Sequence, residues 1–165
     1  MRFAQGRSAV CRSSPDFTCS QSIQICSGIL LSPRLVVTVA HCVSISDSTI
    51  ACATTTLGKQ ASPSDLWVTT DPHVRPEATF VRVVDLKRPG DEDTPLCGHD
   101  IALLRLDEPI ELPRYAESND EPALLQSADE SFSVIGYGVD SADDELGASI
   151  GVRRTSSASF RANFS

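Results

Sequence analysis

Two side chains in this sequence stand in settings that suit proton transfer. His41 ends an apolar run and is followed at once by Cys42, with another cysteine, Cys26, upstream. Asp100 opens the apolar segment of residues 101–106. Histidine titrates close to neutral pH, so it can take a proton from a hydroxyl group and return it to a leaving group. A carboxylate on its other ring nitrogen would orient the ring and stabilise its protonated form.

Ordinary structural explanations exist for each of these features. A lone histidine after apolar residues is commonly a hydrogen-bonded core or surface residue, and an aspartate before a strand is commonly a turn residue. The Gly-Tyr-Gly at residues 136–138 could be a simple bend in a strand. A metal site built from His73, Cys97 and His99 is conceivable, but the spacing matches no zinc pattern, so we expect both histidines in loops.

The composition restricts the class of protein. The 165 residues are 41% hydrophobic and 22% charged, as in a globular domain that buries a sizeable core. A net charge of −8 argues against nucleic acid or an anionic membrane surface as the main partner. The sequence has no apolar run of about 18 residues, so we expect no membrane insertion.

The cysteines indicate an oxidising compartment. They form an even set without a Cys-x-x-Cys pair, which favours disulfides over a zinc or redox site; they are Cys11, Cys19, Cys26, Cys42, Cys52 and Cys97. Residues 1–10 carry positive charge but lack the apolar core of about 7–15 residues that a signal peptide needs. Either the export signal lies upstream of Met1, or the chain is not exported; we favour the first and expect a secreted or otherwise extracytoplasmic protein.

Strands dominate the expected secondary structure. Short runs rich in β-branched residues alternate with loops rich in Pro, Gly, Ser and Asp, and we find no helical periodicity of useful length. The predicted strands are Ser22–Leu31, Arg34–Val39, Leu66–Thr70, Thr79–Leu86, Ile101–Leu106, Phe132–Tyr137 and Ile150–Phe164. This pattern predicts an antiparallel barrel or sandwich and does not choose between the two.

Three motifs in order resemble the trypsin/chymotrypsin-like serine proteases. They are Thr-Val-Ala-His-Cys ending at Cys42, with Cys26 upstream; His-Asp-Ile-Ala-Leu-Leu starting at His99; and the Gly-Tyr-Gly at 136–138, where the family usually has Gly-Trp-Gly. In that family two six-stranded β-barrels enclose an active-site cleft. The resemblance implies an all-β, trypsin-like double β-barrel, with the first barrel essentially complete and the second truncated.

The resemblance also implies a division of the chain into four parts. Residues 1–16 would form an N-terminal segment, and residues 17–112 the first barrel with His41 and Asp100. Residues 113–131 would form the strap between the barrels. Residues 132–165 would be the opening part of the second barrel.

The same resemblance assigns roles to single residues. His41 would be the general base, and Asp100 the carboxylate that orients it. The pair Cys26–Cys42 resembles the family disulfide that ties the histidine loop to the preceding strand. For the remaining cysteines our choices are Cys52–Cys97 and Cys11–Cys19, with the alternative that one of them is free or bonded elsewhere.

The family's nucleophile motif is missing from this sequence. The 165 residues contain no Gly-Asp-Ser-Gly-Gly, and no Ile-Val-Gly-Gly-like segment precedes Cys26. We therefore expect a serine-type endopeptidase, acting on proteins or peptides without a cofactor or metal, of which this chain is a fragment that lacks the nucleophile and is inactive alone. The alternative is a catalytically dead homologue that acts as a secreted binding or regulatory module. Chance motifs on an unrelated β-protein are disfavoured, because three motifs occur in register.

Overall fold

The chain folds into antiparallel β-structure. The computed structural model describes residues 7–12, 25–45, 51–52, 54–117, 131–141 and 149–159, and no α-helix occurs among them. Short 3₁₀ turns lie at Ala40–Val43 and Pro63–Asp65. The strands are β1 (Arg7–Arg12), β2 (Ile25–Ser32), β3 (Leu35–Thr38), β4 (Ser44–Ile45), β5 (Lys59–Gln60), β6 (Leu66–Thr69), β7 (Val81–Lys87), β8 (Ala102–Leu106), β9 (Ser131–Gly136) and β10 (Arg154–Ser159).

Six of these strands close into a barrel in the order β1-β2-β3-β8-β7-β6, with β1 pairing to β6. Closure leaves this sheet without an exposed edge. Alternation along β8 shows how the sequence fills the interior, since Ala102, Leu104 and Leu106 are buried while Leu103 and Arg105 face outward. The inward side chains of the other strands join them in one apolar core.

The barrel begins further upstream than the predicted start at residue 17. Strand β1 covers Arg7–Arg12, inside the predicted N-terminal segment, and pairs with both β2 and β6. Its residues Ala9, Val10 and Cys11 are buried. Three consecutive buried residues do not alternate in polarity, which is why the sequence pattern gave no strand signal here. Most of the predicted strap, residues 113–131, lies outside the described residues.

A two-stranded sheet, β9 with β10, represents the second barrel. It is attached to the first barrel through Tyr137, a buried residue whose hydroxyl donates to the carbonyl oxygen of Asp71 at 2.9 Å. The Tyr137 backbone N–H donates to Ser27 Oγ at 3.0 Å. The prediction of an all-β fold with a complete first barrel and a partial second barrel is therefore confirmed for the described residues.

A glycine permits a close backbone contact between these two parts. Gly151 donates its N–H to the Tyr137 carbonyl at 2.8 Å and accepts from the N–H of Val74, also at 2.8 Å. Its φ of +84° disfavours other residues, and a Cβ here would lie 3.2 Å from Cβ of Val74. Gly151 thus lets the loop after β6 pair with the chain that leads into β10.

Two disulfides tie the loops around the barrel rim. Cys26 on β2 is bonded to Cys42 in the 3₁₀ turn, and Cys52 is bonded to Cys97. Each closes a loop and restricts the unfolded chain. For a loop as short as the first, this stabilises the folded state by about 3 kcal/mol. Cys11 is also disulfide-bonded, but its predicted partner, Cys19, lies outside the described residues.

The described residues include no helix that is both long and apolar enough to cross a lipid bilayer.

Adjacent leucines on β8 provide a test of the barrel register. Leu104→Ala should lower the free energy of unfolding by about 2–5 kcal/mol, because it removes a fully buried side chain and leaves a cavity. Leu103→Ala is the matched control, and its outward side chain, 38% exposed, should cost only about 1 kcal/mol. Urea unfolding with intact disulfides measures both. Equal losses at the two positions would contradict the register.

The disulfide pairing can be checked directly. A peptide map prepared without reduction should recover Cys26 joined to Cys42 and Cys52 joined to Cys97. The Cα–Cα distances of the two pairs, 6.2 and 5.3 Å, lie in the range that a disulfide requires. The same digest after reduction is the control. A peptide that joins Cys42 to Cys52 would contradict this arrangement of the histidine turn.

Candidate active site

His41 lies in a tight turn at the end of β3. After Val39, which has extended backbone angles, the chain turns into the 3₁₀ segment Ala40–Val43. Ala40, Cys42 and Val43 are buried and hold the turn in place, while the His41 ring remains partly exposed at the rim. Its neighbour Cys42 is bonded to β2, which fixes the turn covalently to the strand that precedes β3.

Strand pairing explains why Asp100 reaches His41. Strands β3 and β8 run antiparallel, with Thr38 opposite Ala102. The last residues of β3 therefore lie beside the first residues of β8. His41 follows β3 by a few positions and Asp100 precedes β8 by a few, so the barrel brings together two side chains that are far apart in sequence.

Two hydrogen bonds join the pair. His41 Nδ1 lies 2.8 Å from Asp100 Oδ2, and the His41 backbone N–H donates to Asp100 Oδ1 at 2.9 Å. Both oxygens of one carboxylate are thus engaged by one residue, so the ring and the carboxylate are held in a fixed relative orientation. The side chains are 31% and 32% exposed, so the pair lies partly exposed to solvent at the barrel rim.

The protonation pattern follows from these contacts. A carboxylate accepts hydrogen bonds, so the Nδ1 atom that faces it carries the proton and donates. In the neutral ring the lone pair then lies on Nε2, on the other side of the imidazole. When Nε2 takes up a proton, the charge on the ring is balanced by Asp100. The arrangement is therefore suited to accepting and returning a proton at Nε2.

The disulfide beside His41 removes the possibility of a metal centre there. Cys26, His41 and Cys42 place their potential ligand atoms within 4.8 Å of one another, the only such group found in the described part of the chain. Metal binding by cysteine requires thiolates, whereas these two sulfur atoms are bonded to each other. These residues thus anchor the turn and do not form a metal site.

The other two histidines do not join this site. His99 is exposed, and its Nδ1 lies 2.9 Å from the carbonyl oxygen of Pro95 within its own loop. His73 is also exposed, in the loop that pairs with Val152. Neither belongs with Cys97 to a group of close ligand atoms in the described residues.

Two residues that stabilise the histidine turn, Ser44 and Arg88, were not predicted from the sequence. Ser44 follows the histidine turn and is buried, and its Oγ donates to the carbonyl oxygen of Ala40 at 2.8 Å. Arg88, which follows β7, donates from Nη1 to Ser44 Oγ at 2.6 Å. Serine and arginine at these positions belong to no motif, and nothing in their local sequence indicates a contact across 44 positions.

Comparison with protein families identifies the chain's relatives. The family model described as Trypsin matches residues 4–159, nearly the whole chain. A search of curated proteins found no match.

Solved structures of proteases and protease paralogues share the fold. The chain resembles the scabies mite inactivated protease paralogue S-D1 (20% identity, TM-score 0.60) over 96% of its own length and 58% of that chain. It resembles the Vibrio cholerae VesB protease (17%, 0.63) over 94% and 41%, and the scabies mite inactivated protease paralogue S-I1 (18%, 0.62) over 96% and 62%. It thus spans between 41% and 62% of the length of these structures.

The family match covers both the barrel that carries His41 and Asp100 and the sheet formed by β9 and β10. The resemblance read from the three sequence motifs is therefore confirmed, and this chain belongs to the trypsin family.

Proposed function

We propose that this chain is part of a serine-type endopeptidase, in which His41 is the general base and Asp100 orients it. The observation that carries the proposal is the double contact between the two residues, at 2.8 and 2.9 Å. A serine hydroxyl is a weak nucleophile at neutral pH and needs an adjacent base. Nε2 of His41, held in orientation by Asp100, would accept the hydroxyl proton and return it to the leaving amine.

The substrates would be proteins or peptides, and the compartment extracytoplasmic. The disulfide Cys52–Cys97 supports the second point, because both its residues are exposed and would meet the reductants of a cytosol. The net charge of −8 supports the expectation that nucleic acid is not a partner. The geometry of the pair calls for no cofactor, since a base and an orienting carboxylate suffice to activate a hydroxyl.

The 165 residues include no motif that would provide the nucleophile of this mechanism. They contain no Gly-Asp-Ser-Gly-Gly, the segment that provides the family's serine and the amides that bind the oxyanion. Those amides contribute a large share of the rate enhancement in acyl transfer. We therefore propose that the 165 residues alone hydrolyse no peptide bond.

A second candidate is a catalytically dead homologue that acts as a secreted binding or regulatory module. The missing nucleophile motif favours it, and two of the structurally similar proteins are described as inactivated protease paralogues. Against it stands the intact pair of His41 and Asp100. Binding alone gives no reason to keep a histidine and a carboxylate in this geometry, so we prefer the endopeptidase.

The inactivity of the 165-residue chain can be tested with a fluorophosphonate probe, which labels activated serines. We expect no labelling and no hydrolysis of peptide or ester substrates above background, because the 165 residues contain no Gly-Asp-Ser-Gly-Gly segment to supply the nucleophile and the oxyanion-binding amides. The control is His41→Ala, which should behave as the unaltered chain does. Labelling that disappears in His41→Ala would reveal a working nucleophile and contradict the prediction.

The two candidate functions differ in the transcript that encodes this sequence. An in-frame Gly-Asp-Ser-Gly-Gly downstream would support the endopeptidase, and its absence from the full transcript would support the binding module.

In the longer enzyme, Asp100→Asn should lower kcat by about 10⁴-fold, because the amide favours the wrong ring tautomer. Asp107→Asn is the matched control, since this exposed residue at the far end of β8 pairs only with Arg82 among the ion pairs described. Equal activity of the two variants would refute the role of Asp100.

A further inference from the structure

Arg88 lies directly after β7 and contacts residues of the small β4–β5 sheet and the chain leading into it. Its guanidinium makes three hydrogen bonds: from Nη1 to Ser44 Oγ at 2.6 Å, from Nη1 to the Leu57 carbonyl at 3.0 Å, and from Nη2 to the Gly58 carbonyl at 2.6 Å. No carboxylate lies within ion-pair distance of it among the described residues. The planar guanidinium thus donates hydrogen bonds to oxygen atoms from separate segments of the chain.

The oxygen atoms that Arg88 collects lie at both strands of one small sheet. Ser44 opens β4, and Gly58 immediately precedes β5, where Ser44 pairs with Gln60. The backbone of Ala61 also donates to the Val43 carbonyl at 2.9 Å, at the end of the histidine turn. Arg88 therefore ties together the two strands on which the end of that turn is built.

The contact continues from Ser44 into the histidine turn. Ser44 is 2% exposed, and its Oγ accepts from Arg88 while donating to the Ala40 carbonyl at 2.8 Å. The Ala40 carbonyl belongs to the peptide whose N–H is that of His41, and this N–H donates to Asp100 Oδ1. A hydroxyl that receives a bond from a charged donor is polarised and donates more strongly in turn.

We propose that Arg88 is a positioning residue, which acts through Ser44 and the Ala40–His41 peptide to hold His41 against Asp100. The inference rests on the proposed function for what His41 does, but the contact that it concerns is observable without catalysis. The disulfide Cys26–Cys42 fixes the turn from the β2 side. Arg88 fixes it from the β4–β5 side, so the ring is held between two independent anchors.

The experiment measures the proton on His41 Nδ1 in the 165-residue chain by NMR at one fixed pH. In the unaltered chain this proton should give a low-field signal and exchange slowly with water, because it is bonded to Asp100. Arg88→Met keeps the aliphatic stem and removes the donors, and Ser44→Ala removes the hydroxyl. Each should speed the exchange by about tenfold, the factor that corresponds to loss of a hydrogen bond with a charged donor.

Further variants separate positioning from general stability. The double variant Arg88→Met with Ser44→Ala should exchange no faster than Ser44→Ala alone, because the arginine acts through the serine. Arg88→Lys retains one charged donor and should recover part of the slow exchange. Arg105→Met is the matched control, since this arginine on β8 is exposed and pairs with Asp85 on the outside of the barrel.

The outcomes distinguish the two proposals. If the unaltered chain shows no low-field Nδ1 proton, the His41–Asp100 pair fails, and with it the proposed function and this inference. If the signal is present but Arg88→Met and Ser44→Ala lower only the melting temperature and leave the exchange rate unchanged, the positioning role of Arg88 is refuted while the proposed function stands. Should Arg88→Met not fold, Ser44→Ala and Arg88→Lys decide the question in the same way.

Discussion

The antiparallel pairing of β3 with β8 is the constraint on which the candidate site depends. It places the end of one strand beside the start of the other, and the two residues of interest occupy these neighbouring ends. A shift of the pairing by one residue would turn Leu104 and its inward neighbours toward solvent, so burial of the core penalises any other register. The apolar interior of the barrel thereby fixes a polar contact at its rim.

The rim itself is held by interactions of different kinds. A disulfide binds the histidine turn to β2, and a bidentate contact through one carboxylate binds it to the start of β8. A guanidinium and a buried hydroxyl bind it to the small sheet. Because a catalytic base must hold its geometry to a fraction of an ångström, support from several directions is what proton transfer at His41 would require.

Hydrogen bonds of Tyr137 attach the partial second barrel to the first. Tyr137 stands at the position where the family motif usually has tryptophan, and its hydroxyl reaches the Asp71 carbonyl. Its backbone N–H donates to Ser27 Oγ, and Ser27 directly follows Cys26 of the anchoring disulfide. The two parts of the fold are therefore joined close to the strand that also secures the histidine turn.

How much could be predicted from sequence differs from one residue to the next. The alternation of Ala102, Leu104 and Leu106 and the β-branched runs determined most strands, because side-chain period and strand geometry are local properties. The motifs around His41 and Asp100 determined the family. Strand β1 was missed, since its consecutive buried residues form no alternating pattern, and Arg88 and Ser44 were missed because no local signal marks them. Only the closed barrel decided that His41 meets Asp100, and that Arg88 meets Ser44, because contacts between residues so distant in the chain are set by strand order and register, which no local stretch of sequence encodes.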